Sequence, residues 1–294
     1  MRSPRARARA RRAAALVAPL ALAATLTACA EKADTASAGG SSAPSASCAK
    51  DDLDLTTPGT LTVATDSPAY EPWFVDDDPS NGNGFESAVA YAVAEELGFA
   101  ADEVTWVKQA FNTAYTPGEK PFDFDINQIS ITPERQQAVD FSQGYYTAAQ
   151  AVVTLKENAG EATSLEGLKS LKLGAQTATT SLTAIREDVQ PEQDPLVFDT
   201  SNQAKQALLN GQVDAIVQDL PTAFYMTAVE IPEGTIAGQF AGSGDPEEFG
   251  LLLEKGSALT PCLDQALTSL EESGELAAIE KRWLSDVVDV PVLE

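Results

Sequence analysis

Short apolar runs alternate with segments of helical periodicity along most of the chain. Leu61–Thr65 is an apolar run followed by a turn signal at Asp66, which predicts a buried strand. Ala88–Leu97 carries apolar residues at helical spacing and stops at Gly98, which predicts a helix. Two series of this kind, each about 90 residues long, follow one another. The β–α alternation predicts an α/β fold with largely parallel sheets in two lobes.

The remaining predicted elements continue this order. Further strands are predicted at Val104–Val107, Phe124–Ser130, Ala148–Leu155, Lys172–Ala175, Leu196–Phe198, Ala215–Val217 and Phe249–Leu253. Further helices are predicted to start by a capping box at Thr163, and over Thr180–Arg186, from Thr200 to Asn210, Pro221–Val229, Leu259–Glu272 and Glu275–Leu284.

The segment after the strand Phe124–Ser130 carries an unusual charge. Thr132 can cap a helix that starts there, and this places Arg135 in the first helical turn. A cation at that end opposes the helix dipole. Either the planar guanidinium receives a carboxylate from a ligand, or Arg135 forms an ordinary ion pair with Asp140 or Glu134.

Composition excludes several classes of function. The chain has 294 residues, 44% of them hydrophobic, which is enough for one large domain or two smaller ones. Its formal charge is −25. The first 28 residues hold six Arg and no acid, so the remainder, with 13 basic and 44 acidic residues, carries −31. Such a body repels phosphate backbones, and no nucleic-acid binding is predicted.

The chain also lacks the residues of common catalytic and metal centres. It has no histidine, which removes Ser-His-Asp catalysis and His-ligated zinc. Its three cysteines, Cys29, Cys48 and Cys262, are too far apart for a CxxC site, and no phosphate-binding loop of the Walker type occurs. No cofactor and no metal site are predicted.

The amino terminus reads as a targeting segment. Residues 1–28 combine six arginines with an apolar run too short to span a bilayer as a mature helix. The run ends in Leu-Thr-Ala before Cys29, which resembles a lipobox and implies cleavage before Cys29 and lipidation of its thiol. The alternative is a plain secretory peptide cut after an Ala-x-Ala site. Residues 29–50, rich in Ala, Ser and Gly, are predicted to be a disordered tether.

Two cysteines remain after lipidation. Cys48 opens the predicted folded body and Cys262 begins a late helix. Outside the cytoplasm an even pair favours a disulfide, which would tie the amino-terminal arm to the carboxy-terminal helices. Two buried free thiols are the alternative.

The segments ISITPER (Ile129–Arg135) and VDFSQGYY (Val139–Tyr146) resemble the signature of the polar amino-acid-binding proteins of ABC importers, solute-binding proteins of family 3. The resemblance covers about 61–283. It implies a two-lobed type II periplasmic-binding-protein fold with two crossovers, near 145–149 and 241–246. Residues 51–147 plus 246–294 would then form lobe 1, and residues 148–245 lobe 2. Ligands bind at the carboxyl ends of strands in such sheets, so four strand ends are expected to face one cleft.

The resemblance also implies roles for particular residues. Arg135 would clamp the α-carboxylate of the ligand, with Ser130 and Thr132 offering hydroxyl or amide groups beside it. Thr179 and Thr180 match a loop that meets the same carboxylate, although helix capping is an equal alternative for both. Asp219, at the end of the segment VDAIVQD, would bind the α-ammonium; a favourable first-turn carboxylate is its alternative reading.

Other residues are predicted to meet the ligand side chain. Tyr70 and Phe111 match aromatic walls of the cleft; the alternatives are that Tyr70 packs the floor of the cleft and that Phe111 packs in the core. Asp66, Glu71 and Asp125 would favour a cationic side chain, whereas Gln128 and Asn127 would favour a neutral polar one, so the identity of the ligand stays open.

The predicted function is that of a monomeric receptor, lipid-anchored on the extracytoplasmic face of the cell membrane. It binds a polar amino acid between its lobes and delivers it to the permease of an ABC importer. Two alternatives remain. One is a dehydratase-like enzyme on the same fold, in which Asp125 and Asp219 cooperate, weakened by the absence of histidine. The other is a ligand-sensing subunit of a receptor.

Overall fold

The computed structural model describes residues 47–241, 246–284 and 290–293. The predicted signal peptide at residues 1–28, the predicted lipidation site Cys29 and residues 30–46 of the predicted tether lie outside the described residues. Within the described ranges, no helix is both long and apolar enough to cross a membrane. Residues 47–50, predicted as the end of the tether, include the disulfide-bonded Cys48 and the first residue of a 3₁₀ turn at Lys50–Asp52.

Eleven strands are described. They are β1 (Leu61–Thr65), β2 (Val104–Lys108), β3 (Phe124–Asp125), β4 (Asp140–Ala148), β5 (Gln150–Leu155), β6 (Leu173–Gln176), β7 (Leu196–Phe198), β8 (Ala215–Asp219), β9 (Gly234–Phe240), β10 (Glu247–Leu253) and β11 (Val292–Leu293). Fully buried runs such as β1 form strands because β-branched and apolar side chains pack on both faces of a covered sheet.

Eight α-helices are described. They are α1 (Phe85–Glu96), α2 (Phe111–Ala114), α3 (Leu165–Leu168), α4 (Thr180–Ala184), α5 (Ser201–Leu209), α6 (Leu220–Tyr225), α7 (Thr260–Ser273) and α8 (Glu275–Leu284). Side-chain oxygens of Ser164, Thr179 and Thr200 cap the starts of α3, α4 and α5. The cap of α3 is Ser164, one residue beyond the predicted Thr163.

The first sheet has the strand order β2-β1-β3-β10-β4. β1 pairs in parallel with β2 and β3, whereas β10 pairs antiparallel with β3 and β4. Helices α1, α7 and α8 contribute to a core against this sheet that includes Trp73, Phe85 and Phe249. Burying these large rings removes more apolar surface from water than any aliphatic residue would.

The second sheet has the strand order β11-β9-β5-β8-β6-β7. Successive side chains of β5 point to opposite faces: Val152 packs in a core with α4, while Ala151 and Val153 pack in another with α5 and α6. Both faces are therefore covered. The structure confirms the predicted α/β fold with two sheets.

The chain passes directly from one sheet to the other. β4 in the first sheet ends at Ala148, and β5 in the second begins at Gln150; β9 in the second ends at Phe240, and β10 in the first begins at Glu247. All antiparallel pairs involve β5 or β10, the strands that follow these crossings. The sheets are therefore mixed rather than largely parallel, which differs from the prediction.

The last described strand, β11, joins the second sheet. It pairs in parallel with β9, although residues 246–294 were predicted to belong wholly to lobe 1 with only two crossings. The reason is packing at Gly238, where a Cβ atom would lie 2.5 Å from Leu293 Cδ2. The missing side chain makes room for Leu293, which is almost fully buried.

The predicted disulfide is confirmed. Cys48 and Cys262 are bonded, with Cα atoms 5.4 Å apart and a separation of 214 in sequence. The bond ties the arm that precedes β1 to the first turn of α7. Cys262 lies in the core of the first sheet, and the partly buried Cys48 packs against that core.

Candidate functional site

Residues at the carboxyl ends of β1, β3, β6 and β8 surround a polar cavity of about 50 Å³ between the two sheets. Its lining consists of Asp66, Tyr70, Phe111, Asn127, Gln128, Ser130, Gln176, Thr179, Thr180, Ser181, Ser201, Gln218 and Asp219. These are the strand ends at which open α/β sheets bind ligands. Eight of the ten predicted ligand-binding residues line this cavity; Thr132 and Arg135 do not.

The loop after β3 is held by a buried carboxyl group on α1. Gln128 adopts a left-handed backbone with φ of 48°, so the strand predicted to reach Ser130 ends at Asp125 instead. The backbone N–H of Gln128 donates to Glu86 Oε1 at 2.7 Å, its side-chain amide donates to the other oxygen, and Tyr145 also donates to Glu86. Burial raises the pKa of Glu86 to about 7.

Arg135 lies in a short 3₁₀ turn rather than in an α-helix. Thr132 Oγ1 accepts a hydrogen bond from the Arg135 backbone N–H at 3.2 Å, as a cap does. The guanidinium is buried and donates to Ser130 O at 2.6 Å and to Ala178 O at 3.0 Å. Its Cζ also lies 4.9 Å from the centre of the Tyr115 ring. Within the described residues it forms no ion pair, and Asp140 instead pairs with Lys255 at 2.7 Å.

Two carbonyls from different sheets thus fix the guanidinium. Ser130 follows β3 and Ala178 follows β6, and an arginine has five N–H groups, so three remain for other acceptors. Burial lowers the pKa of Arg135, while nearby acidic groups such as Glu247 and Asp219 oppose that change. Arg135 and Thr132 border a second cavity of about 650 Å³, and Thr179 and Thr180 line both cavities.

The threonine loop after β6 combines capping with exposure to both cavities. Thr179 Oγ1 accepts from the Leu182 N–H at 3.1 Å and donates to Gln176 O at 2.8 Å, so this hydroxyl serves the start of α4. Thr180 Oγ1 lies 3.4 Å from Ser130 Oγ, on the opposite side of the cavity. Ala178 adopts a left-handed backbone with φ of 62°, a conformation that glycine adopts without steric cost.

Asp219 lies at the start of α6 but does not cap it with its side chain. Its Oδ1 accepts a hydrogen bond from Gln150 Nε2 at 2.7 Å instead. Burial, reinforced by the charge of Glu247, raises the pKa of Asp219 to about 8. The carboxyl group is therefore directed at the cavity and at β5, not at the helix amides.

Four residues that line the cavity were not predicted: Gln176, Ser181, Ser201 and Gln218. Three residues that hold the region together, Glu86, Gln150 and Glu247, were not predicted either. Glu247 Oε1 accepts from Ser130 Oγ at 2.6 Å, and Gln150 Oε1 accepts from Ser181 Oγ at 2.5 Å. Each joins parts of the chain that are distant in sequence, so no local pattern marks it.

Several buried polar atoms near the cavity lack a partner within the described chain. They are Thr65 Oγ1, both carboxyl oxygens of Asp125 and Asn127 Nδ2. Asn127 lines the cavity, whereas Asp125 lies behind it and burial raises its pKa. An unpaired amide at a cavity wall is a group that a polar ligand can satisfy. The described residues hold no cluster of three or more acidic or cysteine side chains arranged for a metal ion.

The chain has the architecture of a two-lobed solute-binding protein. It is an α/β chain with a polar cavity between two sheets, a buried guanidinium held between those sheets and a carboxyl group at the cavity. The family model of the bacterial extracellular solute-binding proteins, family 3, matches residues 61–286. The chain belongs to this family, as its signature segments predicted.

Known proteins of this kind resemble the chain over most of its length. The arginine-binding extracellular protein ArtP of Bacillus subtilis is 29% identical over 213 residues, 69% of this chain and 78% of ArtP. The L-cystine-binding protein TcyJ of Escherichia coli is 27% identical over 228 residues, 76% and 82% of the two chains. The crystal structure of the ancestral amino acid-binding protein AncCDT-1, a precursor of cyclohexadienyl dehydratase, matches with a TM-score of 0.65 and 30% identity, covering 77% of this chain and 95% of that one.

Proposed function

We propose that this protein is a lipid-anchored extracytoplasmic receptor that binds a free amino acid between its sheets and delivers it to an ABC importer. The observation that carries the proposal is the placement of Arg135 and Asp219 on either side of the loop Thr179–Thr180. Arg135 receives the α-carboxylate with its remaining N–H groups, and Asp219 receives the α-ammonium. The named relatives, which bind arginine or cystine, support this class of ligand.

A thermal-shift screen of the twenty amino acids and cystine tests the proposal. We expect at least one of them to raise the melting temperature, because a ligand that binds only the folded state stabilises it. Arg135→Lys keeps the charge but loses the bidentate fork, so it should remove most of that shift. Arg282→Ala, which removes an exposed arginine stacked on Trp283, is the matched control. A full shift in Arg135→Lys would refute the role of Arg135.

We further infer that the ligand has a cationic side chain. Asp66 and Asp219 line the cavity, and Glu86 and Asp125 lie directly behind it. Arg135 is the cation that acts on Asp219, and it is already shared with two carbonyls. Burial raises the pKa of Glu86, Asp125 and Asp219, and a ligand with an extra positive charge offsets the cost of ionising such groups better than a zwitterion without net charge does.

Arginine and citrulline provide a sharp comparison, because citrulline has nearly the same shape without the charge. We expect arginine to bind at least tenfold more tightly than citrulline in calorimetric titrations, and Asp66→Asn to reduce that ratio. Equal affinities would refute the cationic preference while leaving amino-acid binding intact.

Catalysis is the competing function. AncCDT-1 is described as the precursor of a dehydratase, and Asp125 and Asp219 were the acid pair considered for such chemistry. Asp125 does not line the cavity. We propose binding without turnover, and prolonged incubation with each bound amino acid, followed by proton NMR, should return the amino acid unchanged. Appearance of a product would favour the enzyme.

The membrane anchor is tested separately. We propose that the mature protein begins at a lipidated Cys29, which keeps it near a permease at the outer face of the membrane. Cys29→Ser should release the protein into the medium, whereas Ser42→Ala in the same segment should not. Membrane fractions that retain Cys29→Ser in full would refute the lipid anchor.

A separate measurement distinguishes delivery from sensing. Uptake of labelled amino acid is compared between cells that make this protein and a strain in which it is deleted.

A further inference from the structure

Gln150 is the first residue of β5, directly after the chain crosses from the first sheet to the second. Its Nε2 donates to Asp219 Oδ1 at 2.7 Å and to Glu247 Oε2 at 3.1 Å. A side-chain amide nitrogen carries two hydrogens. The same nitrogen also lies 3.3 Å from Thr180 Oγ1, but its two shortest contacts are with carboxyl groups, one at the end of β8 and one at the start of β10.

Glu247 occupies the other crossing, as the first residue of β10. Its second oxygen accepts from Ser130 Oγ at 2.6 Å. Because the two carboxyl groups share one nitrogen, their nearest oxygens lie within about 6 Å of each other. Two negative charges at that separation, partly removed from water, repel strongly enough to favour retention of a proton.

The other charges around Asp219 do not relieve this repulsion. Glu86 on α1 adds a further acidic group, Tyr145 and Tyr146 on β4 are neutral phenols, and Arg135 is the cation that acts on the pair. Its guanidinium already donates to Ser130 O and Ala178 O. Beyond Glu247, the adjoining cavity is lined by two further acids, Glu187 and Asp188.

We propose that Glu247 makes amino-acid binding proton-linked: its charge, held across Gln150, keeps a proton on Asp219, and the ammonium group of the ligand displaces that proton. In this step the carboxyl O–H bond breaks, the proton passes to solvent, and the carboxylate pairs with the ammonium group, so atoms and charge balance. The inference rests on the proposed function, since it takes Asp219 as the partner of the ammonium group.

The expected consequence is a binding affinity that rises with pH. Because the pKa of Asp219 is raised to about 8, affinity should increase up to about tenfold per pH unit between pH 5.5 and 7.5. Glu247→Gln removes the second negative charge, so Asp219 ionises at a lower pH. We expect this variant to bind about three- to tenfold more tightly than wild type at pH 5.5 and to release fewer protons.

Calorimetric titration of L-arginine and of L-glutamine into full-length wild type, Glu247→Gln and Glu248→Gln tests this. Runs at pH 5.5, 6.5 and 7.5, each in two buffers of different ionisation enthalpy, count the protons released. Glu248 is the adjacent residue and is exposed, so its variant is the matched control and should follow wild type. Superimposable pH profiles of Glu247→Gln and wild type would overturn the inference. If wild type bound neither probe at any pH and also failed the screen of all amino acids, the proposed function itself would fall.

Carbon-13 NMR of the aspartate carboxyl groups keeps the test independent of how the variant folds. The Asp219 resonance of wild type, assigned from Asp219→Asn, should titrate in the free protein with a midpoint near 8. It should report an ionised carboxylate at pH 6.5 once arginine is bound. An Asp219 group that is ionised throughout pH 5.5–7.5 in the free protein would overturn the inference.

Discussion

Trp73 Nε1 donates a buried hydrogen bond of 2.9 Å to Thr222 Oγ1. Trp73 is fully buried in the core of the first sheet, and Thr222 lies on α6 against the second. Like the Arg135–Ala178 bond, it joins the two halves of the protein, but neither Trp73 nor Thr222 lines the polar cavity. The arrangement of the sheets around the candidate site therefore depends in part on a contact outside that site.

Thr222→Val should weaken amino-acid binding without removing any ligand contact. The variant keeps the shape of the side chain but leaves the indole N–H unpaired when the sheets are together. A buried hydrogen bond contributes about 1 kcal/mol, so the calorimetric affinity should fall about fivefold. Thr227→Val is the control, because the Thr227 hydroxyl donates only to Ala223 and Phe224 in its own helical segment. Equal affinities of Thr222→Val and Thr227→Val would contradict this role.

Gly84 lies against the backbone of Trp73. It precedes α1 with φ of 100°, and a Cβ atom there would lie 2.3 Å from Trp73 O. That carbonyl accepts from the backbone N–H of Glu86 at 3.0 Å. Gly84→Ala should therefore lower the free energy of unfolding by about 3 kcal/mol or more.

Gly59 is the matched comparison for Gly84. Its φ is 78°, but a Cβ atom there would meet nothing within 4 Å. Gly59→Ala should cost only the left-handed backbone strain, about 1–2 kcal/mol. Urea unfolding measures both variants. Equal losses in the free energy of unfolding for Gly84→Ala and Gly59→Ala would show that the contact with Trp73 O is unimportant.

The sequence predicted best those elements in which every side chain of a short apolar run is buried. β1 was predicted to the residue because all five of its side chains are buried and a turn follows. Phe124–Ser130 was predicted too long, because its apolar–polar alternation continues past the point where Gln128 turns left-handed to meet Glu86. β9 was missed, since Gly234–Phe240 includes two glycines and is only partly buried.

The candidate site shows the same division. Eight predicted residues follow strands and line one cavity, because chain order places strand ends at a common edge. Glu86, Gln150 and Glu247 were not predicted, since these bonds reach residues between 31 and 117 positions away. The ligand contacts of Arg135 and Asp219 remain predictions.

Glu86 should make the ligand-free protein less stable as pH rises. Burial raises the pKa of Glu86 to about 7 from 4.5, so the folded protein keeps a proton that the unfolded chain has lost between those values. Stability therefore falls with increasing pH across this window, by up to about 1.4 kcal/mol per pH unit. Glu86→Gln should flatten the curve.

Urea unfolding at pH 5, 6 and 7 measures this effect of Glu86. Glu95→Gln, which alters an exposed carboxyl group on the same helix, should keep the wild-type slope. Glu86→Gln is expected to lower the free energy of unfolding at pH 5. The new amide NH₂ is a donor, and it would face the donors of Gln128 and Tyr145. The decisive quantity is the slope, and a slope equal to that of wild type would show that Glu86 is already ionised at pH 5.

The Cys48–Cys262 bond should stabilise the fold without affecting ligand recognition. It closes a loop of more than two hundred residues and lies at the core of the first sheet, remote from both cavities that border Arg135 and Asp219. Replacing both cysteines by serine should lower the free energy of unfolding by about 2–5 kcal/mol. The same loss should follow when wild type is unfolded in a reducing agent, whereas the double variant should not respond to that agent. Amino-acid affinity, measured well below the melting temperature, should stay within about twofold of wild type. A large loss of affinity in the double variant would mean that the arm before β1 sets the geometry of the candidate site. It would contradict a purely stabilising role for the disulfide.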